Sequence, residues 1–350
     1  MDGLGTTDLL IAVYRALGLL FVLVVLYPPL AWFERWYNLP IGEREKLGQH
    51  ITLPIATVIK LLSKRASVPA HADKPLHIIA PFFALFPALF VLALIPPGPP
   101  VFFEEREIHL AVAGDAGSLP ALFALLLMSP IGILLASKAG GVHFGLVTGI
   151  RMTLVRASGV LVILFANIDL YVSDKSLSLY RLVVAQADPF FYGFPSWGFI
   201  RYPVSFFCVI LVVAYIGQRT QRTRPGDPGD LLEPYIISSA GPILLAHRVF
   251  EVLETMAYSA CITALFFGGW LIPGVDVSSE QGGYTDSAVV ARVLCYATKT
   301  LLVAVGLMSL RRALPKLQFD QIIRVFWFIL FPIALASTLL TSIFSSISLL

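Results

Sequence analysis

The sequence predicts an all-α integral membrane protein, with about eight transmembrane helices and one amphipathic helix lying along the cytoplasmic surface. Three observations lead there. Apolar residues make up 57% of the 350-residue chain and charged residues only 13%, with a mean hydropathy of +0.82; water-soluble domains carry about a quarter charged residues. Apolar runs of about 20 residues, the length that crosses a bilayer core, recur along the chain. The sign of the charge alternates from one connection to the next.

The expected spans lie near residues 8–31, 77–97, 119–138, 147–171, 200–217, 237–270, 289–310 and 322–347, and all of 1–350 reads as a single membrane domain. The runs are continuous and do not alternate, so helices are expected and a barrel is not. Before the first run stand Asp2 and Asp8 with no Lys or Arg. A cleaved signal needs a basic start and a shorter apolar stretch, so this run reads as a retained helix. Residues 50–65 follow, from His50 to Arg65, too short to span. Lys60 and Lys64 stand four apart on one face, as in a helix lying in the interface. The sixth run is long enough to tilt, bend or protrude. Arg219–Glu233, rich in Arg, Asp, Gly and Pro, reads as an irregular cytoplasmic loop.

Charge sets the orientation. The connections after spans one, three, five and seven hold Arg35, Arg44, Lys46, Lys60, Lys64, Arg65 and Lys74; Lys138; Arg219, Arg222 and Arg224; and Arg311, Arg312 and Lys316. The alternate connections hold Glu104, Glu105, Glu107, Asp169, Asp174, Asp276, Glu280 and Asp286. Lys and Arg favour the cytoplasmic side, so both termini are expected outside. The net charge of +3 is then a matter of topology and gives no reason to invoke nucleic acid.

Cys208, Cys261 and Cys295 fall within the spans without paired spacing, so they read as packing residues and not as disulfides or metal ligands. His50, His71, His77, His109 and His143 show no metal-ligand spacing. There is no phosphate loop, nucleophile–base pair or haem motif, so the chain is expected to hold no catalytic centre and no covalent cofactor. Ionisable residues at membrane depth are expensive and face a cavity or a partner. His247, Arg248, Glu251 and Glu254 are spaced to share one helical face, and Glu251 is a candidate protonatable site or a packing ion pair. Arg156, one and a half turns into the fourth span, reads first as a side chain snorkelling to the cytoplasmic surface and second as a partner for one of these acids. Lys299 lies mid-span, where snorkelling is difficult, and is expected to face a polar interior. No internal repeat is visible, which disfavours a stand-alone transporter.

Several stretches carry a resemblance. Glu34-Arg35 follows the first span; Pro54-Ile55-Ala56 and Ile59-Lys60-Leu61 lie in the surface helix; Pro69, Ala72-Asp73-Lys74, Ala80-Pro81 and Ile95-Pro96 come next. Arg151 opens the fourth span, Ser176-Leu177-Ser178-Leu179 and Ala185-Gln186 lie in an outer loop, and Glu251 precedes Gly268-Gly269-Trp270. Lys299-Thr300, Leu310-Arg311, Leu314-Pro315, Phe319-Asp320-Gln321, Arg324, Trp327 and Pro332 close the series. In order and spacing these resemble the H-type, quinone-proximal membrane subunit of respiratory complex I, the proton-pumping NADH:quinone oxidoreductase (NADH dehydrogenase). The resemblance covers nearly the whole chain.

It implies a non-redox membrane subunit that anchors a peripheral arm and lines a quinone chamber at the head of a proton-coupling path. Glu34, Arg35, Lys60, Asp73, Arg151, Arg248, Glu251, Glu254 and Lys299 are the candidates for that chamber or path. The implied partners are other membrane and peripheral subunits, the lipid bilayer and a non-covalent quinone; the implied compartment is a bacterial inner membrane. A membrane-bound hydrogenase or formate hydrogenlyase-type assembly, or a divergent structural homologue without proton coupling, stays open beside it. The departures bear on that last reading. The family's Gly-Pro-Asn-Arg-Val-Gly-Pro stretch is absent, Thr57 replaces an Asp, Gly159-Val160 replaces a Tyr-Glu pair, and the acidic loop is reduced to Asp227, Asp230 and Glu233.

Overall fold

The computed structural model describes residues 27–33 and 36, 53–103 apart from 67 and 70, 106–108, 111, 117–141, 143–191 apart from 188, 194–218, 240–273 and 286–347 apart from 316. Residues 27–33 are helical (α1). Next come α2 (Leu53–Ser63), α3 (Lys74–Leu94), α4 (Ser118–Ala139), α5 (His143–Ala166), α6 (Ile168–Asp174) and α7 (Leu179–Val184). The chain continues through α8 (Gly198–Arg201), α9 (Pro203–Gln218), α10 (Pro242–Phe266), α11 (Asp286–Ala313), α12 (Phe319–Arg324), a π-helical turn (Val325–Leu330) and α13 (Phe331–Ile347). The protein is all-α in architecture. Two small antiparallel ribbons interrupt the loops, Val101–Phe103 with Arg106–Ile108 and Pro189–Phe191 with Phe194–Pro195, too short for alternation to announce them in the sequence.

Six helical stretches among the described residues are long and apolar enough to cross a membrane: Lys74–Leu94, Ser118–Ala139, Gly145–Asp174, Pro242–Phe266, Ala288–Ala313 and Phe319–Ile343. One of the eight expected spans falls short of that. The expected 200–217 is broken at Tyr202, which leaves the shorter apolar helix Pro203–Gly217; Pro203, with no N–H to donate, starts a helix more readily than it continues one. The expected 8–31 lies mostly outside the described residues. The surface helix occupies Leu53–Ser63 of the expected 50–65. It exposes Ile55, Ile59 and Leu62 at one-turn spacing while Lys60 and Lys64 are also exposed, a division suited to a bilayer surface.

Small residues set the packing distances. A Cβ on Gly132 would overlap the Ala84 backbone, so α4 and α3 meet almost backbone to backbone, the close approach that substitutes for hydrophobic drive between helices in lipid. Pro81 and Pro87 sit inside α3, tolerated where neighbours re-satisfy the freed carbonyls.

Helix α10 is the axis of the molecule. It is buried on all sides from Phe250 to Phe266, packs chiefly on α3 and α11, and also touches α2, α7, α8 and α9. In contrast, α11 and α13 with the turn before it face Val290, Leu294, Leu302, Phe328, Leu339 and Leu340 outward, and α3 turns out Phe82, Phe83, Phe86 and Phe90. Apolar surface of that extent belongs against lipid or a neighbouring helix.

The described parts of the connections gather at opposite ends. At one end the Asp73 N–H donates to the Ala139 carbonyl at 3.2 Å, Gly241 lies against the Lys64 and Arg65 carbonyls, and Gly217 lies against the Arg311 guanidinium. At the other, the Leu119 N–H donates to the Leu177 carbonyl at 3.0 Å, and Arg201 pairs with Asp174 at 3.0 Å. Among the described residues, Lys64, Arg65, Lys74 and Lys138 thus gather at one end and Asp169 and Asp174 at the other.

Candidate functional site

The first half of α10 brings ionisable side chains into the bundle from its own sequence spacing. Glu251 and Glu254 are one turn apart and both buried. Arg248, one turn earlier, has its Nη1 3.5 Å from the Glu251 Oε2 and stays a quarter exposed. His247 is buried, its Nδ1 2.9 Å from the Ile243 carbonyl, and His77 of α3 is buried as well. The Thr255 hydroxyl donates to the Glu251 carbonyl at 3.1 Å and accepts from the Arg311 Nη1 at 3.0 Å.

Across from this face, α5 supplies Arg156. It is 1% exposed and makes an ion pair with Glu254, its guanidinium also 5.8 Å from the Phe250 ring centroid. The snorkelling expectation for Arg156 is therefore overturned. Helix α5 rotates residue 156 onto α10, and the desolvation of both charges is offset by their direct contact. One turn on from Arg156 along α5, Val160 is fully buried apolar surface. The interior here holds two carboxylates and three guanidiniums, of Arg156, Arg248 and Arg311. Such a set can fix helix orientation or polarise a bound polar group.

A second polar knot closes the far end of α10. Gly268 and Gly269 take positive φ values of 68° and 51°, a left-handed pair that glycine adopts without strain. The turn seats Trp270, fully buried, with Arg292 5.4 Å over its ring. The Lys299 Nζ donates to the carbonyls of Phe267, Gly269 and Leu271 at 2.9, 3.2 and 2.6 Å and lies 4.8 Å from the Trp197 ring centroid. A cation on the carbonyls that follow a helix C-terminus satisfies acceptors outside the helix ladder and suits the helix dipole. The Gln186 Oε1 accepts from the N–H groups of Gly198 and Gly268 at 3.1 and 2.9 Å, and its Nε2 donates to the Ala264 carbonyl at 3.0 Å. Lys299 also heads an apolar groove of about 480 Å³ between α9 and α11, lined by Ile210, Leu302, Gly306 and Leu310 among others.

The sequence candidates thus divide into groups. Arg248, Glu251 and Glu254 come together on α10; Lys299 stands apart at the other end of that helix. Lys60, Asp73 and Arg151 are exposed around the end that carries the basic connections. Glu34 and Arg35 lie outside the described residues. Cys208 and Cys261 are buried and Cys295 half-buried, all three as free thiols. Among the described residues no group of three or more His, Cys, Asp or Glu side chains could hold a metal. Sequence reasoning misses Arg292, Arg311 and Asp169 as interior groups. Charge alone places the last two in connections, and only their burial, at 4% and 1% exposure, shows otherwise.

Among the described residues, six long apolar helices, one of them the buried, ion-paired α10 at the axis, define a multi-pass membrane protein with a polar interior. The family to which it belongs follows from comparison of the whole chain: the NADH dehydrogenase family model matches residues 15–342, and the chain is a member of that family. It is similar to an H-type subunit of NADH-quinone oxidoreductase from Rhizobium etli, the second of that name there, at 26% identity over 95% of this chain and 93% of the relative. It is also similar to the second H-type subunit of Geobacter sulfurreducens, 28% identical over 92% of each, and to the H-type subunit of Brevibacillus brevis, 26% identical over 89% of this chain and 86% of the relative.

Proposed function

We propose that the chain is the quinone-proximal membrane subunit of a complex I-type NADH:quinone oxidoreductase, holding no redox centre of its own. It anchors the peripheral arm on its basic, cytoplasmic end, around Lys60, Asp73 and Arg151, and forms one wall of the quinone chamber. Its partners are the other membrane and peripheral subunits, and its place is a bacterial inner membrane with both termini outside. The observation that carries this reading is the burial of Glu251 and its ionic neighbours in α10 within a chain that matches the family over residues 15–342. Lining a chamber and bordering a coupling path both require ionisable groups held inside the membrane domain, where desolvation would otherwise expel them.

One observation favours a second reading, that of a homologue retained for assembly with coupling reduced. Arg156 and Glu254 form an interior ion pair a turn from Val160, so a fixed cation stands where relaying protons would need further acids. An uncompensated charge in low dielectric costs several kcal/mol, which makes such a pair a barrier to an incoming proton. Glu251→Gln separates the two readings. Complex yield and protons pumped per electron are measured side by side. We expect the yield to fall more than the pumping ratio. Normal assembly with loss of pumping alone would make Glu251 a coupling residue and remove the second reading.

A further inference from the structure

Asp169 is 1% exposed, and its surroundings differ from those of Glu251 and Glu254. It belongs to α6, at the end of the molecule that carries the acidic connections. Ser205 of α9 donates to its Oδ2, the Ser337 hydroxyl of α13 lies 2.9 Å from the same oxygen, and the Thr341 hydroxyl of α13 lies 2.9 Å from Oδ1. The Ser205 and Ser337 hydroxyls are 3.3 Å from each other. Three helices therefore bring three hydroxyl oxygens to the two oxygens of one carboxylate. Among the described residues no Lys, Arg or His makes an ion pair with Asp169; the nearby Arg201 is engaged by Asp174 and Ser173, at 3.0 and 2.5 Å.

Proton counting shows what such a cluster can accept. Each hydroxyl has one proton and two lone pairs. Ser337 can give its proton to the Ala334 carbonyl, 2.9 Å away, in place of Asp169. Thr341 can likewise turn to the Ser337 carbonyl at 2.9 Å or the Thr338 carbonyl at 3.0 Å. When they turn, their lone pairs face the carboxylate's own oxygens, and the cluster becomes an all-oxygen cage of net charge −1. Hard oxygen ligands select hard cations, and a single carboxylate balances a single positive charge. Oxygens packed 2.9 to 3.3 Å from one another favour the smaller sodium ion over potassium, which holds its oxygen ligands farther apart.

We propose that Asp169, Ser205, Ser337 and Thr341 form a sodium-binding site that ties α6, α9 and α13 together. Its occupancy neutralises a buried carboxylate that no basic side chain among the described residues balances. This is independent of whether the chain lines a quinone chamber or couples to protons.

The test uses the full chain in mild detergent. Thermal unfolding is followed in NaCl, KCl and choline chloride at equal ionic strength, with binding of radioactive sodium as a second measurement. Sodium should raise the unfolding temperature above that in the other two salts, as mass action on a folded-state ligand requires. Asp169→Asn should abolish the sodium difference and the bound radioactivity. Where that variant fails to fold, Ser337→Ala and Thr341→Val, which keep the packing volume, should each weaken the apparent sodium affinity several-fold. Equal unfolding in all three salts with no bound sodium would overturn the proposal. A sodium effect that survives in Ser337→Ala and Thr341→Val at unchanged affinity would place the ion elsewhere and overturn it as well.

Discussion

Glu254 and Asp169 are carboxylates buried to 6% and 1% exposure in one helical bundle, and they meet opposite surroundings. Glu254 on α10 is matched by the guanidinium of Arg156, so its charge is balanced within the protein. Asp169 on α6 is met by three hydroxyls and no basic side chain among the described residues. Hydroxyls satisfy lone pairs without supplying charge, so Asp169 is left to a balancing cation from outside, the proposed sodium ion. A carboxylate's role in a membrane interior is thus read from what balances it, and burial alone does not distinguish a lock from a ligand site.

The largest expected effect comes from breaking the lock. Arg156→Met strands Glu254 in the interior and should cost roughly 3–5 kcal/mol, seen as lost accumulation in the membrane and a lower unfolding temperature in mild detergent. The double variant Arg156→Met with Glu254→Met should recover most of that loss, because no charge remains to be solvated. A double variant as unstable as the single one would show that the pair is not what the interior balances.

Lys299 sharpens the comparison from the cationic side, since its ammonium is met by three backbone carbonyls in place of a carboxylate. Lys299→Met should cost about 1–3 kcal/mol, the desolvation of the carbonyls left without a donor, and less than Arg156→Met because no full charge is stranded. Unfolding curves of the two variants in the same detergent test that order. The smallest effect of the series belongs to Gly269→Ala, which involves no charge. Its φ of 51° costs an L-residue roughly 1–2 kcal/mol, and its Cβ would sit 3.0 Å from a Val183 methyl. A loss as large as that of Arg156→Met would mean the turn, and not the ion pair, governs the stability of α10.

How far the molecule is legible in its sequence depends on whether a feature is local. The surface helix is readable because Lys60 and Lys64 at one-turn spacing sit in a run too short to span. The acids of α10 are readable because Glu251 and Glu254 stand out in an apolar run. Arg156 is visible as a charge, but snorkelling and burial have the same sequence, and the rotation of α5 about its axis chooses between them. Arg311 illustrates the reverse error. Counted with the basic connection, it reaches back to Thr255 on α10. Tyr202 is lost inside an apolar run, and a composition window does not register the break that Pro203 enforces.

The sequence by itself determined that the chain is a helical membrane protein, where its apolar runs fall, which connections are basic, and the family pattern along its length. Each of these is a property of short stretches, set by transfer energies and charge counts that hold in any neighbourhood. The tertiary structure alone decided which charges meet. Arg156 finds Glu254 across 98 positions and Asp169 finds Ser337 across 168. The physical reason is geometric: side-chain partners in a bundle are selected by the rotation and depth at which packed helices settle, and that is settled jointly by all the helices at once.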